Sequence, residues 1–259
     1  MVLDTIIYME TEPLKDDLFS VASHELRTPL TVLKLQTQLL HKRLARQGLY
    51  EYVAILVQME AQIQRLERLN GDLLNVSNLQ SGRLAYVEER VDLNKLLQEV
   101  AEVMHQIYPT HAIVVRGAAT TDLVGDPDRL GQVFSNLLTN AIKYSPFADT
   151  IEVEMRSSAE AITISVRDHG IGITQDQREK IFERFYRAVD PSTNTIPGLG
   201  IGLYLVAEII KHHGGTITVE SAMGKGSTFH VTLPLTGNES LGNVSTLPIL
   251  RQEVRLPCD

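Results

Sequence analysis

LKDDLFSVASHELRTPLTVLKLQTQLL, residues 14–40, keeps a heptad from end to end. One column of the repeat runs Leu18, Glu25, Val32, Leu39, and the other runs Leu14, Val21, Thr28, Leu35. Glu25 and Thr28 are its polar members, and His24 stands on the flank, one residue before the seam. Pro29 follows. It has no N–H to give the carbonyl of residue 25, so the helix is weakened beside His24. Gly48 breaks the pattern, and a second helix then carries Tyr52, Leu56, Met59, Ile63, Leu66 and Leu73 before ending near Gly82. Two long helices, each with one apolar stripe, cannot cover both stripes alone. Pairing the hairpin with a second copy, as a dimeric four-helix bundle, would cover them.

After Gly82 the texture changes to short β-like runs: LAYV (84–87), HAIVV (111–115), TIEVEM (150–155), AITISV (161–166), GTITVE (215–220) and STFHVTL (227–233). Helical stretches lie between them. Asp126-Pro127 reads as an N-cap with proline at the first helical position, opening a helix to about Tyr144. Thr174 and Gln177 have capping-box spacing for a helix to about Phe185. A third helix spans about Ile201 to His213 and stops at Gly214-Gly215. Strands with helices on one side predict an α+β two-layer sandwich and not a parallel βαβ fold. The expected organisation is therefore a multidomain chain. It has a linker or helical stub at 1–13, an all-α hairpin at 14–82, an α+β module at 83–236 and a tail of no clear period at 237–259.

Composition narrows the class of function. The net charge of -8 argues against binding to nucleic acid or an anionic membrane face. The lone cysteine, Cys258, allows no intrachain disulfide and fits a reducing compartment. No apolar run has the length of a membrane span, and MVLDTIIYMETEPLKDD is too short and acidic for a signal peptide. The expectation is a cytoplasmic chain, or the cytosolic portion of a membrane-associated sensor.

Four stretches of the second module carry ligand chemistry. On the helix from Pro127, Asn136 and Asn140 are four apart and Lys143 and Tyr144 follow a turn later, so all four share roughly one side. An asparagine oxygen suits Mg²⁺ already held by phosphates, a lysine neutralises phosphate, and a tyrosine packs on a base. Asp168-His169-Gly170-Ile171-Gly172 leaves a strand. Its glycines admit close backbone approach, and its carboxylate can accept from an exocyclic amine such as that of adenine. Gly198-Leu199-Gly200-Ile201-Gly202 opens a helix, where free N–H groups favour an anion. Ile181-Phe182-Glu183-Arg184-Phe185-Tyr186-Arg187 offers Arg184 or Arg187 to phosphate, and the polar stretch 188–200 reads as a lid. Singly, each also reads as an ordinary amphipathic edge, turn or cap. No Rossmann or Walker pattern is present, and MGKGST (223–228) reads as a hairpin turn.

In their order along residues 14–236 these stretches resemble the sensor histidine kinases of two-component signalling. SHELRTPL is similar to the phospho-acceptor box of that family, NLLTNAIKYS to the asparagine box, DHGIG and GLGIGL to the two glycine boxes, and FERFYRA to the phenylalanine box. The resemblance implies an ATP-dependent protein-histidine kinase acting as a homodimer. His24 would be the nucleophile, with Glu25 accepting a hydrogen bond from its ring. Asn140 would be the principal Mg²⁺ ligand with Asn136 nearby, Lys143 would contact phosphate, Tyr144 would line the adenine pocket, and Asp168 would recognise the adenine amine. Gly170, Gly172, Gly198, Gly200 and Gly202 would let backbone and lid wrap the nucleotide. The phosphoryl group would pass to an aspartate of a response regulator, and Glu25 with Thr28 matches the pattern tied to dephosphorylating that regulator. An upstream sensor would lie outside this chain.

Rival readings are weaker. A His-Glu-x-x-His zinc site needs histidine where Thr28 stands. A gyrase-like or chaperone ATPase of the same superfamily lacks a hairpin bearing His24. A nucleotide-binding scaffold without catalysis has no use for an intact His24, Glu25 and Asn140.

Overall fold

The computed structural model describes residues 2–188 and 199–235, with side chains from Ala22 onward except that of His24. Helix α1 (Val2–Arg46) and helix α2 (Tyr50–Gln80) form an antiparallel hairpin, turned at Gly48 with φ of 72°. α1 continues through Pro29 without a break.

The stripe that α1 buries within the hairpin is not the heptad pair read from the sequence. Ser23, Leu30 and Thr37 are buried, and they face α2, whose own buried column includes Leu56, Ile63, Asn70 and Ser77. Both columns keep steps of seven. Lys34 pairs with Glu67 at 2.8 Å and His41 with Glu60 at 3.2 Å along the same helix pair. Val32, Leu35 and Leu39, members of the predicted seam, are exposed in the single chain, Leu39 to 68%. On α2, Tyr52, Met59 and Leu66 are exposed as well. Each helix therefore has a buried column and a second, apolar one. The hairpin consumes one, and the other remains open along the bundle.

The second module begins with an extended linker. LAYV forms no strand: Val87 N–H donates to Asp126 Oδ2 at 2.9 Å, and the Tyr86 ring stacks on His212 with centroids 3.4 Å apart. Alternation there reflects side-chain anchoring of a linker and not a ladder. Strand β1 (Glu89–Val91) comes next and pairs antiparallel with β3 (Leu123–Gly125). Between them lie helix α3 (Leu93–Ile107), capped by Asp92 on the N–H groups of Asn94 and Lys95, and strand β2 (Ala112–Gly117). Neither β1, α3 nor β3 was read from the sequence.

Helix α4 (Pro127–Lys143) starts as expected, with Asp126 Oδ1 accepting from Arg129 N–H at 3.0 Å. Strands β4 (Thr150–Ser157) and β5 (Ala161–Arg167), helix α5 (Gly202–His212) and strands β6 (Thr216–Ala222) and β7 (Gly226–Pro234) complete the layer. The sheet order is β2-β4-β5-β7-β6, with β2 parallel to β4 and the other pairs antiparallel. One sheet face carries Ile151, Val153, Ile162, Ile164, Val166 and Val231, all buried against the helix layer with Leu130, Phe134, Leu138, Val206 and Ile210. The opposite face holds polar pairs such as Thr163–Thr232 and Ser165–His230. An α-helical hairpin followed by an α+β sandwich is the architecture.

The capping box at Thr174 does not form. Gln177 N–H donates to the Thr174 backbone carbonyl, so the segment closes as short 3₁₀ turns at Gln175–Gln177 and Lys180–Phe182. Phe185 then takes φ of 65°, which turns the chain out of any helix. Val76 at the base of α2 buries against Ile201 and Leu205, so the hairpin abuts the start of α5. No helix among the described residues is long and apolar enough to cross a membrane.

Candidate functional site

The site is assembled where α4 ends. Asn136, Asn140 and Lys143 rise along one side of α4, and Tyr144 closes it with its N–H on the Asn140 carbonyl. A Cβ on Gly202 would stand 3.0 Å from Asn136 Oδ1, so the N-terminus of α5 lies against the asparagine. Phe185 N–H donates to the Gly200 carbonyl at 3.0 Å, which ties the phenylalanine-rich turn to the same glycine segment. The Ile171 N–H donates to the Tyr144 carbonyl at 3.2 Å, which joins the strand-exit loop to the end of α4. The structure thus brings together Asn136, Tyr144, Gly170, Gly200 and Gly202.

Asp168 is the most constrained of these groups. It is 4% exposed, and its Oδ1 accepts from Gly170 N–H at 2.9 Å, Ser227 N–H at 3.2 Å and Ser145 Oγ–H at 3.4 Å. Oδ2 takes no hydrogen bond among the described residues. Burial pushes the carboxyl above its ordinary range, against the three bonds that favour the anion. Oδ1 takes all three of the hydrogen bonds to this carboxylate among the described residues.

Three glycines are dictated by contact at this point. A Cβ on Gly170 would meet the Tyr144 carbonyl oxygen at 2.1 Å, and one on Gly226 would meet the Asp168 carbonyl oxygen at 2.0 Å. Gly172, at φ of 73°, would place a Cβ 2.0 Å from the Ala222 carbonyl oxygen, so it seats the loop on the β6–β7 turn. MGKGST is that turn, as expected.

Three cations lie near one another at the end of α4: Lys143, Arg187 and Arg65. Lys143 Nζ lies 5.3 Å from the centroid of the Tyr144 ring. Burial, then the guanidinium groups of Arg187 and Arg65, lower its pKa to about 8. Arg65 belongs to α2, so the hairpin contributes charge beside Lys143. Arg184 lies over the Phe185 ring instead, 5.1 Å from its centroid. Of the two arginines read from the sequence, Arg187 is the one beside Lys143 and Tyr144. Asn140's side chain makes no hydrogen bond among the described residues, and no ion pair to Lys143 occurs among them.

On the hairpin, Glu25 and Thr28 are exposed on α1. Gly198, most of the 188–200 lid, the side chain of His24 and the 237–259 tail lie outside the described residues. Sequence reading missed the roles of Ser145, at the end of the asparagine box, and of Gly226 and Ser227, inside the MGKGST turn, and it missed Arg65, which helix packing brings in with no local motif.

These features fit a purine nucleoside triphosphate: a buried carboxylate acceptor suited to an exocyclic amine, glycine-lined backbone, and a lysine with no ion pair among the described residues. Among the described residues no three His, Cys, Asp or Glu side chains are grouped to hold a metal ion. A divalent cation here would be held by phosphates and a neutral oxygen, the arrangement Mg²⁺ accepts.

Residues 14–82 match the family model of the His Kinase A (phospho-acceptor) domain. Residues 125–237 match that of the histidine kinase-, DNA gyrase B-, and HSP90-like ATPase. The chain is 33% identical over 245 residues to the sensor histidine kinase WalK of Bacillus subtilis (strain 168), covering 90% of this chain and 39% of that protein. It is 35% identical over 221 residues to the sensor histidine kinase RppB of Synechocystis sp. (strain ATCC 27184 / PCC 6803 / Kazusa), covering 83% of this chain and 48% of the relative. The chain thus spans less than half the length of either. Among solved structures it is similar to full-length ShkA in complex with AMPPNP, with a TM-score of 0.68 at 26% identity, over 85% of this chain and 46% of that one.

Proposed function

This chain belongs to the sensor histidine kinases of two-component signalling, and on that footing we propose that it moves the γ-phosphoryl group of ATP to His24. The hairpin match at 14–82 sets it apart from gyrase-like ATPases, which carry the nucleotide fold without it. The observation that carries the proposal is Asp168: its spare Oδ2 suits the adenine amine, while Tyr144 lines the same pocket.

Lys143 and Arg187 would face the phosphates in this reading, and Asn140, with Asn136 beside it, would supply a neutral oxygen to Mg²⁺. Bound Mg²⁺ would neutralise phosphate charge. One nitrogen of the neutral His24 imidazole attacks the γ-phosphorus. The N–P bond forms as the bond from phosphorus to the bridging oxygen of ADP breaks, and Glu25 takes up the hydrogen bond from the other ring nitrogen as it becomes positive. Phosphoryl transfer asks mainly for alignment and charge neutralisation, which is what the gathered cations provide. The phosphohistidine then gives its phosphoryl group to an aspartate of a response regulator. The open columns at Val32, Leu35 and Leu39 on α1 and at Tyr52, Met59 and Leu66 on α2 support a homodimeric four-helix bundle. The lone cysteine, Cys258, fits a reducing, cytoplasmic location for this portion.

The proposal is tested by incubating the chain with γ-phosphate-labelled ATP. Mg²⁺-dependent label that is lost in acid and kept in alkali is expected, and acid-stable label defeats it. Thr28→Ala is expected to keep that labelling and slow release of phosphate from the regulator; the reverse pattern would end the division of labour. ATP affinity is also expected to fall as pH rises through about 8, by up to about tenfold per unit. Below that pH Lys143 is already charged, whereas above it a proton must be taken up on binding. Calorimetry from pH 7 to 9.5 checks this, and Lys143→Met should flatten the profile.

A further inference from the structure

Asn70 lies in the buried seam of the hairpin, seven residues from Ile63 and seven from Ser77. It is 6% exposed, and its Nδ2 donates to the backbone carbonyl of Ser23 at 2.7 Å. Its Oδ1 is buried and takes no hydrogen bond among the described residues. Ser23 is 1% exposed and immediately precedes His24.

An asparagine here is costly. A leucine would bury more apolar surface and leave no orphaned oxygen. What an amide supplies at a seam position is register. Counting sevens outward from the Ser23–Asn70 bond in the antiparallel sense sets Leu30 against Ile63 and Thr37 against Leu56, all of them buried. A slip of one heptad would set Asn70 against Leu30 and leave its amide without the Ser23 acceptor.

The two carbonyls that bracket His24 are treated in opposite ways. Ser23's carbonyl gains a bond from across the seam. Glu25's carbonyl has no donor four residues on, because Pro29 carries no N–H. The turn is tied to α2 just before His24 and loosened just after it.

We propose that Asn70 is a positioning residue for the phospho-acceptor, fixing the height and rotation at which α1 presents His24 so that bending at Pro29 pivots about Ser23. The inference rests on His24 as the acceptor. It separates hairpin stability from His24 placement, since the residue that serves placement is a poor one for packing.

The test compares Asn70→Leu and Asn70→Gln with the parent in the full chain. Asn70→Leu is expected to melt at or above the parent's temperature. At saturating ATP it is expected to label about tenfold more slowly or worse, with unchanged KM for ATP. Amide exchange in the peptide covering residues 23–29 is expected to quicken. Asn70→Gln, which keeps the donor, should recover part of the labelling rate. Parental labelling or parental exchange in Asn70→Leu overturns the proposal. Equal losses in both variants with lowered melting temperatures would mark a packing role, and also overturn it. If the parent itself takes no label, the kinase reading fails, and the exchange data still decide whether Asn70 holds the turn.

Discussion

Asn140→Ala is expected to abolish labelling by ATP, by about a thousandfold or more, while the chain keeps its fold and its oligomeric state. Asn140 sits mid-face on α4, one turn from Asn136 and one from Lys143. Its side chain bonds to nothing among the described residues, so its removal breaks no internal network. Alanine is also the better helix former, so the substitution costs the fold little. The whole loss should therefore appear in the chemistry. Labelling assays with and without Mg²⁺, beside size-exclusion chromatography, separate the two effects. A variant that labels normally removes Asn140 from the cation site.

Gly170→Ala should lose ATP binding and destabilise the second module by about 3 kcal/mol. The added Cβ would stand 2.1 Å from the Tyr144 carbonyl oxygen and 2.8 Å from Ser145 Oγ. Neither can retreat cheaply. The carbonyl accepts from Ile171 N–H, and Ser145 is one of three donors to Asp168 Oδ1. Moving the loop would pull Gly170 N–H off Asp168 as well, loosening the carboxylate proposed to meet the base. Denaturant melts and titration with a fluorescent ATP analogue check both parts. A variant that binds nucleotide as the parent does contradicts the role given to this loop.

Much of this was legible in the sequence where function rests on local backbone. The Asp126-Pro127 cap, the strands at 150–155 and 161–166 and the Gly224 turn follow from short-range rules, and they hold. The errors arise where distant parts decide. Thr174 to Phe185 has a capping-box spelling, yet the Gln177 N–H goes to the Thr174 carbonyl and Phe185 turns the chain out. LAYV alternates like a strand, but Asp126 and His212 claim its groups. Helix α3 is an exception to that rule, since Leu93, Leu97, Ala101 and Met104 behind the Asp92 cap spell it locally. On α1 a heptad count cannot say which of two columns meets α2. In the column at Ser23, Leu30 and Thr37 two of the three residues are hydroxyl-bearing, so it hides among polar neighbours. The clamp on Asp168 by Ser145 and Ser227 was beyond reach, because only the pairing of β5 with β7 brings Ser227 beside the strand exit.

His24 is where these threads meet, flanked by a tether at Ser23 and a missing bond at Pro29. The decisive measurement is the position of the label after incubation with γ-phosphate-labelled ATP and Mg²⁺, read in the parent chain and in His24→Gln. The account predicts acid-labile phosphate on His24 in the parent and no label in the variant. Label of equal amount in His24→Gln would contradict it.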